Sequence, residues 1–239
     1  MCNEVLGLNP EQWSALAAIG TLAAVVVALV IAVWQDRMKQ WLFRPKLVLS
    51  YEMKPPYCQK TLISNGKQKA QCYYFRLRVE NKGRRQAEDV TVLAADLMKA
   101  DENGAFARYQ RFLPMHLTWS HDRKISQSIS SGLFRFIDLC HIFDPENRKE
   151  FDGEDFIVTF AEIFLNHEIA EEVLLSFDTE VKPFTSSHIV PSGKYRMVLL
   201  VGARDIGTKK CHVDVEFAKD WIVNQDEMFA KGISIILKE

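Results

Sequence analysis

Two Cys-His dipeptides, Cys140-His141 and Cys211-His212, are the residues best suited by type to hold a transition metal, and Cys58 and Cys72 would add thiolates. Zinc sites of this kind take ligands at short spacings such as C-x-x-C or H-x-x-x-H, and none occurs here. Both dipeptides sit in segments where apolar and polar residues alternate, and adjacent strand side chains point to opposite faces. Each dipeptide therefore offers one ligand at most, and the cysteines read as small buried apolar groups. The expectation is a chain with no metal and no cofactor.

His167 stands among Glu162, Glu168, Glu171 and Glu172, residue types that serve acid–base work or bind a cation. A solvated acidic face carries the same density of carboxylates, and that reading is preferred. Gly202-Ala203-Arg204-Asp205-Ile206-Gly207-Thr208-Lys209 approaches the phosphate-binding pattern G-x-x-x-x-G-K-[ST]. Here Thr208 precedes Lys209, and 211–217 alternates as a strand where a phosphate loop would open a helix, so the segment reads as a hairpin loop. No G-x-S-x-G nucleophile elbow is present. Aromatic residues beside turns, namely Tyr51, Tyr57 and Trp119, are either core or rigid anchors for a protein partner.

The elements that would position these residues begin with an uncharged run at 14–34, SALAAIGTLAAVVVALVIAVW. As a helix it extends roughly 31 Å at ~1.5 Å per residue, the thickness of a bilayer's hydrocarbon core. Trp13 and Trp34 bracket it, as indole rings do at membrane interfaces. A cleaved signal peptide would need a basic start and a shorter apolar core, whereas Glu4 and Glu11 are the only charges before the run. Arg37, Lys39, Arg44 and Lys46 follow it, so the positive-inside rule places the N-terminus (1–13) outside and the bulk of the chain in the cytoplasm of a cell with an inner membrane. With Trp41, these charges form a membrane-interface stub at 35–44 that rests on the lipid bilayer. Gly20, Ala24, Ala28 and Ala32 recur every fourth residue, a ridge of small side chains fit for close helix–helix contact with a second copy or a partner membrane protein.

The whole chain has 239 residues, 30 Lys+Arg against 31 Asp+Glu and 48% hydrophobic residues. That balance excludes a disordered or collagenous chain and, lacking a basic excess, a nucleic-acid binder. Scattered cysteines suit a reducing cytosol. Residues 45–239 form one domain rich in strands. Segment 73–80 sets Tyr73, Phe75, Leu77 and Val79 on one face and Arg76 and Arg78 on the other. Further strands are expected at 46–53, 89–97, 133–142, 173–181, 194–203, 211–217 and 233–238, a hairpin turn at Asn65-Gly66, and a short helix at 224–231. Segment 156–172 fits either a helix or a pair of strands. Many short strands without β–α alternation predict an antiparallel β-sandwich.

Arg78-Val79-Glu80-Asn81-Lys82-Gly83, followed by Ala87 and Val90-Thr91-Val92, resembles the V-x-N-x-G…A-x-x-V hairpin of CARDB-type immunoglobulin-like domains. Val190-Pro191-Ser192-Gly193-Lys194-Tyr195 resembles the P-x-G-x-Y start of a late strand in the same class. The layout is similar to bacterial single-pass membrane proteins with a cytosolic domain of this type. The resemblance implies an immunoglobulin-like sandwich and carries no functional residue. The functional expectation is a membrane-anchored protein-interaction module or accessory subunit without catalysis, its sandwich binding a protein partner. The alternatives are a tethered enzyme with a dispersed hydrolytic or metal site, or an envelope adhesion domain if the topology is inverted.

Overall fold

The computed structural model describes residues 10–64, 69–148, 172–183, 185–204 and 206–238, with backbone alone at 10, 36–42, 64 and 147–148. The chain divides into two compact units, Met1–Arg44 and Pro45–Glu239.

The first unit is one helix, α1 (Pro10–Leu42). Pro10 suits a first helical position because its missing N–H has no partner there anyway, and Glu11 in the first turn meets the positive end of the helix dipole. The segment Glu11–Gln35 has a mean hydropathy of 2.8 with none of it buried, so it is long and apolar enough to cross a membrane. Thr21, the one hydroxyl in its middle, donates to the carbonyl of Ala17 at 2.5 Å and so meets its need within the helix. The backbone of Arg37, Lys39 and Trp41 continues the helix, while their side chains lie outside the described residues.

The second unit is an antiparallel β-sandwich, so the expected class, mainly β and preceded by one apolar helix, holds. The first sheet has the order β1 (Leu47–Ser50), β3 (Lys69–Asn81), β8 (Phe134–Phe143), β9 (Leu175–Phe177), β10 (Ile189–Val190), and β2 (Cys58–Ser64) shares the β3 edge with β1. The second runs β13 (Ile233–Lys238), β12 (Ile206–Phe217), β11 (Gly193–Ala203), β4 (Ala87–Ala100), with β5 (Phe106–Arg108), β6 (Met115–His116) and β7 (Gln127–Ile129) along the outer edge of β4. Tyr73, Phe75, Leu77 and Val79 of the first sheet are fully buried in one cluster with Val92, Met197, Leu199 and Val213 of the second. Burial of this two-sided apolar layer is the main force holding the sheets together.

Several elements differ from expectation in instructive ways. The turn at Asn81-Lys82-Gly83 does not close a hairpin, because β3 and β4 belong to different sheets. Val79 and Val90 both face the core, one from each layer, so the chain must arch across the sandwich edge. Asn81 holds that arch: its Oδ1 accepts from the backbone N–H of Lys46 (3.1 Å) and Gly83 (3.0 Å), and its Nδ2 donates to the carbonyls of Arg85 (2.7 Å) and Ile129 (2.9 Å). The strand expected at 173–181 shortens to β9 and one bridge at Thr179. The helix expected at 224–231 is α3 (Gln225–Glu227), capped by Asn224, then a π-helical turn Met228–Gly232; a short α2 (Pro145–Arg148) precedes it in the chain. β2 and β3 pair up to Ser64 and Lys69, and the Asn65-Gly66 turn lies outside the described residues, as does the ambiguous segment 156–171.

Candidate functional site

A register fault in β8 builds the most chemically endowed place among the described residues. Phe75 pairs with Cys140 but its neighbour Arg76 pairs with Asp138, so Leu139 is the extra residue of a β-bulge. Strict alternation would put Asp138 and His141 on opposite faces. The bulge resets the phase, and both line one outer-face pocket of about 210 Å3 together with Tyr74, Arg123 and Asp178. The fault coincides with a change of partner. Above it, residues 140–142 pair with β9; below it, the backbone N–H of Asp138 donates to Thr118 (2.9 Å) and that of Ser120 to Phe136 (3.0 Å). The N–H of Asp178 donates to Leu139 itself at 3.1 Å, which closes the fork.

Within the pocket, His141 Nδ1 lies 3.0 and 3.1 Å from the two carboxylate oxygens of Asp178, and both side chains are largely buried. The imidazole stacks on Tyr74 (5.7 Å between centroids, 4° between planes) and meets the edge of Phe143 at 4.8 Å. Asp138 accepts hydrogen bonds from the hydroxyls of Ser120 and Tyr74. Burial lifts the Asp138 carboxyl to about 6, with the nearby Asp178 adding to the rise and the Ser120 and Tyr74 hydrogen bonds and Arg76 opposing it. Burial and the same two carboxylates push the Tyr74 phenol well above its ordinary value. The loop that brings Arg123 to the pocket carries left-handed backbone at two non-glycine residues, His121 (φ 78°) and Arg123 (φ 53°).

This arrangement can orient an imidazole and bring a carboxyl's titration up to about 6, nearer neutrality, and both favour proton exchange at a general acid or base. The Ser120 hydroxyl beside it is engaged by Asp138. No three His, Cys, Asp or Glu side chains among the described residues converge to hold a metal. A larger hollow of about 460 Å3 beside the π-helical turn is lined by Met53, Phe217, Phe229, Gly232 and Ile235, with Glu216 and Lys231 as its charged groups.

The residues singled out from sequence fall elsewhere. Cys140 and Cys211 point into the core, and like Cys58 and Cys72 they are buried. Only His141 of the two dipeptides reaches the pocket; His212 is half-buried on β12. Segment 202–209 is the hairpin between β11 and β12, pairing Ala203 with Ile206, and Arg204 binds Glu88 at 2.7 Å and Asp89 beside it. Trp119 and Tyr57 are buried, so as protein anchors they are withdrawn: Trp119 Nε1 donates to the carbonyl of Ile125 at 3.2 Å. Glu162, His167, Glu168 and Glu171 lie outside the described residues. Gly20, Ala24, Ala28 and Ala32 are exposed along α1, as are Trp13 and Trp34, and Arg44 and Lys46 are exposed around the end of the helix. Sequence reading missed Tyr74, Asp138 and Asp178. Its available signal was a carboxylate inside the apolar run FRFIDLCHIF, since a buried Asp needs specific partners. No protein-family model and no curated protein matches this chain.

Proposed function

We propose that this protein is a membrane-anchored interaction module or accessory subunit: α1 crosses the inner membrane once with its N-terminus outside, and the β-sandwich works at the cytoplasmic face without catalysis. The observation that carries the reading is the apolar segment Glu11–Gln35, with a mean hydropathy of 2.8, followed within the same helix by the basic residues Arg37 and Lys39. The ridge Gly20, Ala24, Ala28 and Ala32 has no Cβ neighbour at Gly20, which leaves room for a close partner helix from a second copy or another membrane protein. The immunoglobulin-like, CARDB-type resemblance belongs to this reading, since two facing antiparallel sheets are its architecture.

The test is topological. The four cysteines of the sandwich are buried, so they report on neither side of a membrane while the protein is folded. Asn103 sits in the exposed turn between β4 and β5, and an Asn103→Cys variant supplies a surface thiol. Intact cells, or spheroplasts, treated with a membrane-impermeant maleimide should leave position 103 unlabelled until lysis. Labelling from outside would invert the topology and make the chain an envelope domain.

A second reading, a tethered enzyme, is favoured by the oriented pair His141–Asp178 beside the raised Asp138 carboxyl. It predicts a turnover activity of the full chain that His141→Gln abolishes without unfolding the sandwich. Unaltered activity in that variant removes this reading.

A further inference from the structure

We infer that the end of the β-sandwich formed by the loops 82–85 and 130–133 and the start of β8 docks on the surface of an anionic lipid leaflet, inserting Leu133 and Phe134 while its basic side chains meet the headgroups. The inference rests on the membrane-anchored reading above and extends it from the helix to the folded domain.

Leu133 and Phe134 are 59% and 47% exposed, although a folded domain gains by burying both. Gly132, in left-handed backbone at φ 73°, makes the turn that presents them at the tip. The tip is rigid. Its Gly132 N–H donates to the Asn81 carbonyl (2.8 Å), the Leu133 carbonyl accepts from the Asn81 N–H (3.0 Å), and Ser131 Oγ donates to the Gly83 carbonyl (2.7 Å). Phe134 is steadied by Arg78, whose guanidinium lies 3.9 Å from the ring centroid.

Around these apolar groups the charge is one-sided. Lys46, Lys82, Arg84, Arg85 and Arg135 are all exposed on the loop 82–85 and at the adjoining starts of β1 and β8. The nearby carboxylates are already engaged: Glu80 pairs with Arg78 at 3.3 Å, and Glu88 and Asp89 with Arg204. A rigid apolar tip ringed by cations matches the chemistry of an anionic leaflet, which attracts basic side chains and accepts Leu and Phe at the headgroup boundary. Chain connectivity favours the same occupant. Lys46, which is tied to Asn81 and Lys82, follows the last residue of α1 by four positions in the chain.

The experiment uses the full chain in vesicles of phosphatidylcholine with or without a one-third share of phosphatidylglycerol. In a Cys2→Ser background, an environment-sensitive fluorophore is placed at Leu133→Cys or, at the opposite end of the sandwich, at Asn103→Cys. Docking predicts that the label at 133 shifts to the blue and is quenched by brominated lipid in the anionic vesicles, while the label at 103 stays in water. Lys82→Glu, Arg84→Glu and Arg135→Glu together should abolish the effect, since each basic group contributes roughly fivefold to the docked-to-undocked ratio. A label at 133 that stays in water in anionic vesicles, or is shielded equally in neutral ones, overturns this inference alone. A chain that alkaline carbonate strips from the vesicles overturns the anchored reading with it.

Discussion

Asp138 and His141 stand three residues apart on β8 and face the same pocket, because the bulge at Leu139 shifts the strand's alternation by one. The consequence is electrostatic. Two carboxylates, an imidazole and a phenol share a site that a regular strand would have split between core and solvent, and Asp138 answers by holding its proton more tightly.

That raised carboxyl makes stability depend on pH in a defined direction. The unfolded Asp138 gives up its proton around 3.8, the folded one around 6. Between those values the folded state carries the extra proton, so stability falls as pH rises from about 4 to 6 and is level above, a span of about 2–3 kcal/mol at most. Asp138→Asn should flatten this slope and leave the variant more stable than the parent at pH 7. Denaturant titrations of both proteins at several pH values provide the check; an unchanged slope would count against it.

Asp214 behaves in the opposite sense. Arg196 binds it with two hydrogen bonds (2.6 and 2.8 Å) and Lys238 with a third (2.6 Å), and these hold its carboxyl down at about 2. Its contribution is therefore present above about 4 and disappears as pH falls toward 2. Both cations reach solvent, so screening limits the value to about 1 kcal/mol. Asp214→Asn should lower neutral-pH stability by that amount and be indistinguishable from the parent near pH 2. A thermal melt at each pH would show it.

Replacing Asn81 with Ala should be among the costliest polar substitutions. The fully buried amide satisfies two backbone N–H groups and two carbonyls from three segments, the start of β1, the 82–85 loop and the end of β7. A loss of about 3 kcal/mol follows from unpairing one buried and three part-buried hydrogen bonds at once. Hydrogen exchange should rise at Lys46 and Gly83 before it rises in the core strands, and protection retained at both amides would refute the role.

Thiol chemistry should be silent in the native state. Burial lifts the Cys58 thiol to about 11 and the Cys72 thiol to about 12, and raises Cys140 as well. A membrane-permeant maleimide is expected to modify these three and buried Cys211 only at the rate at which the sandwich opens. Rapid labelling of any of them in undenatured protein would contradict the packing.

The exposed ridge on α1 makes a last prediction. Ala24→Leu with Ala28→Leu should leave insertion intact, because hydropathy rises, yet weaken any close helix–helix association by filling the groove. Cross-linking of the full chain in membranes measures this directly. An unaltered cross-linking pattern would show that the ridge makes no such contact.

The membrane-length helix and the antiparallel sandwich were both legible in the amino-acid order, because each is encoded by neighbours. An uncharged run at 14–34 needs only its own length to be apolar enough to span, and Tyr73, Phe75, Leu77 and Val79 declare a buried face by their spacing alone. Tertiary structure decided what depends on residues distant in the chain. Asn81 and Gly83 looked like a hairpin turn, but whether β4 returns beside β3 or crosses to the other sheet is set by which layer Val79 and Val90 complete. Local alternation also separated Asp138 from His141. Their union depends on an inserted residue opposite β3 and on Asp178, Thr118 and Tyr74 arriving from other strands and loops. A bulge leaves no mark in hydrophobic periodicity, since Leu139 is as apolar as a regular core residue and only the partner strand reveals that nothing stands across from it.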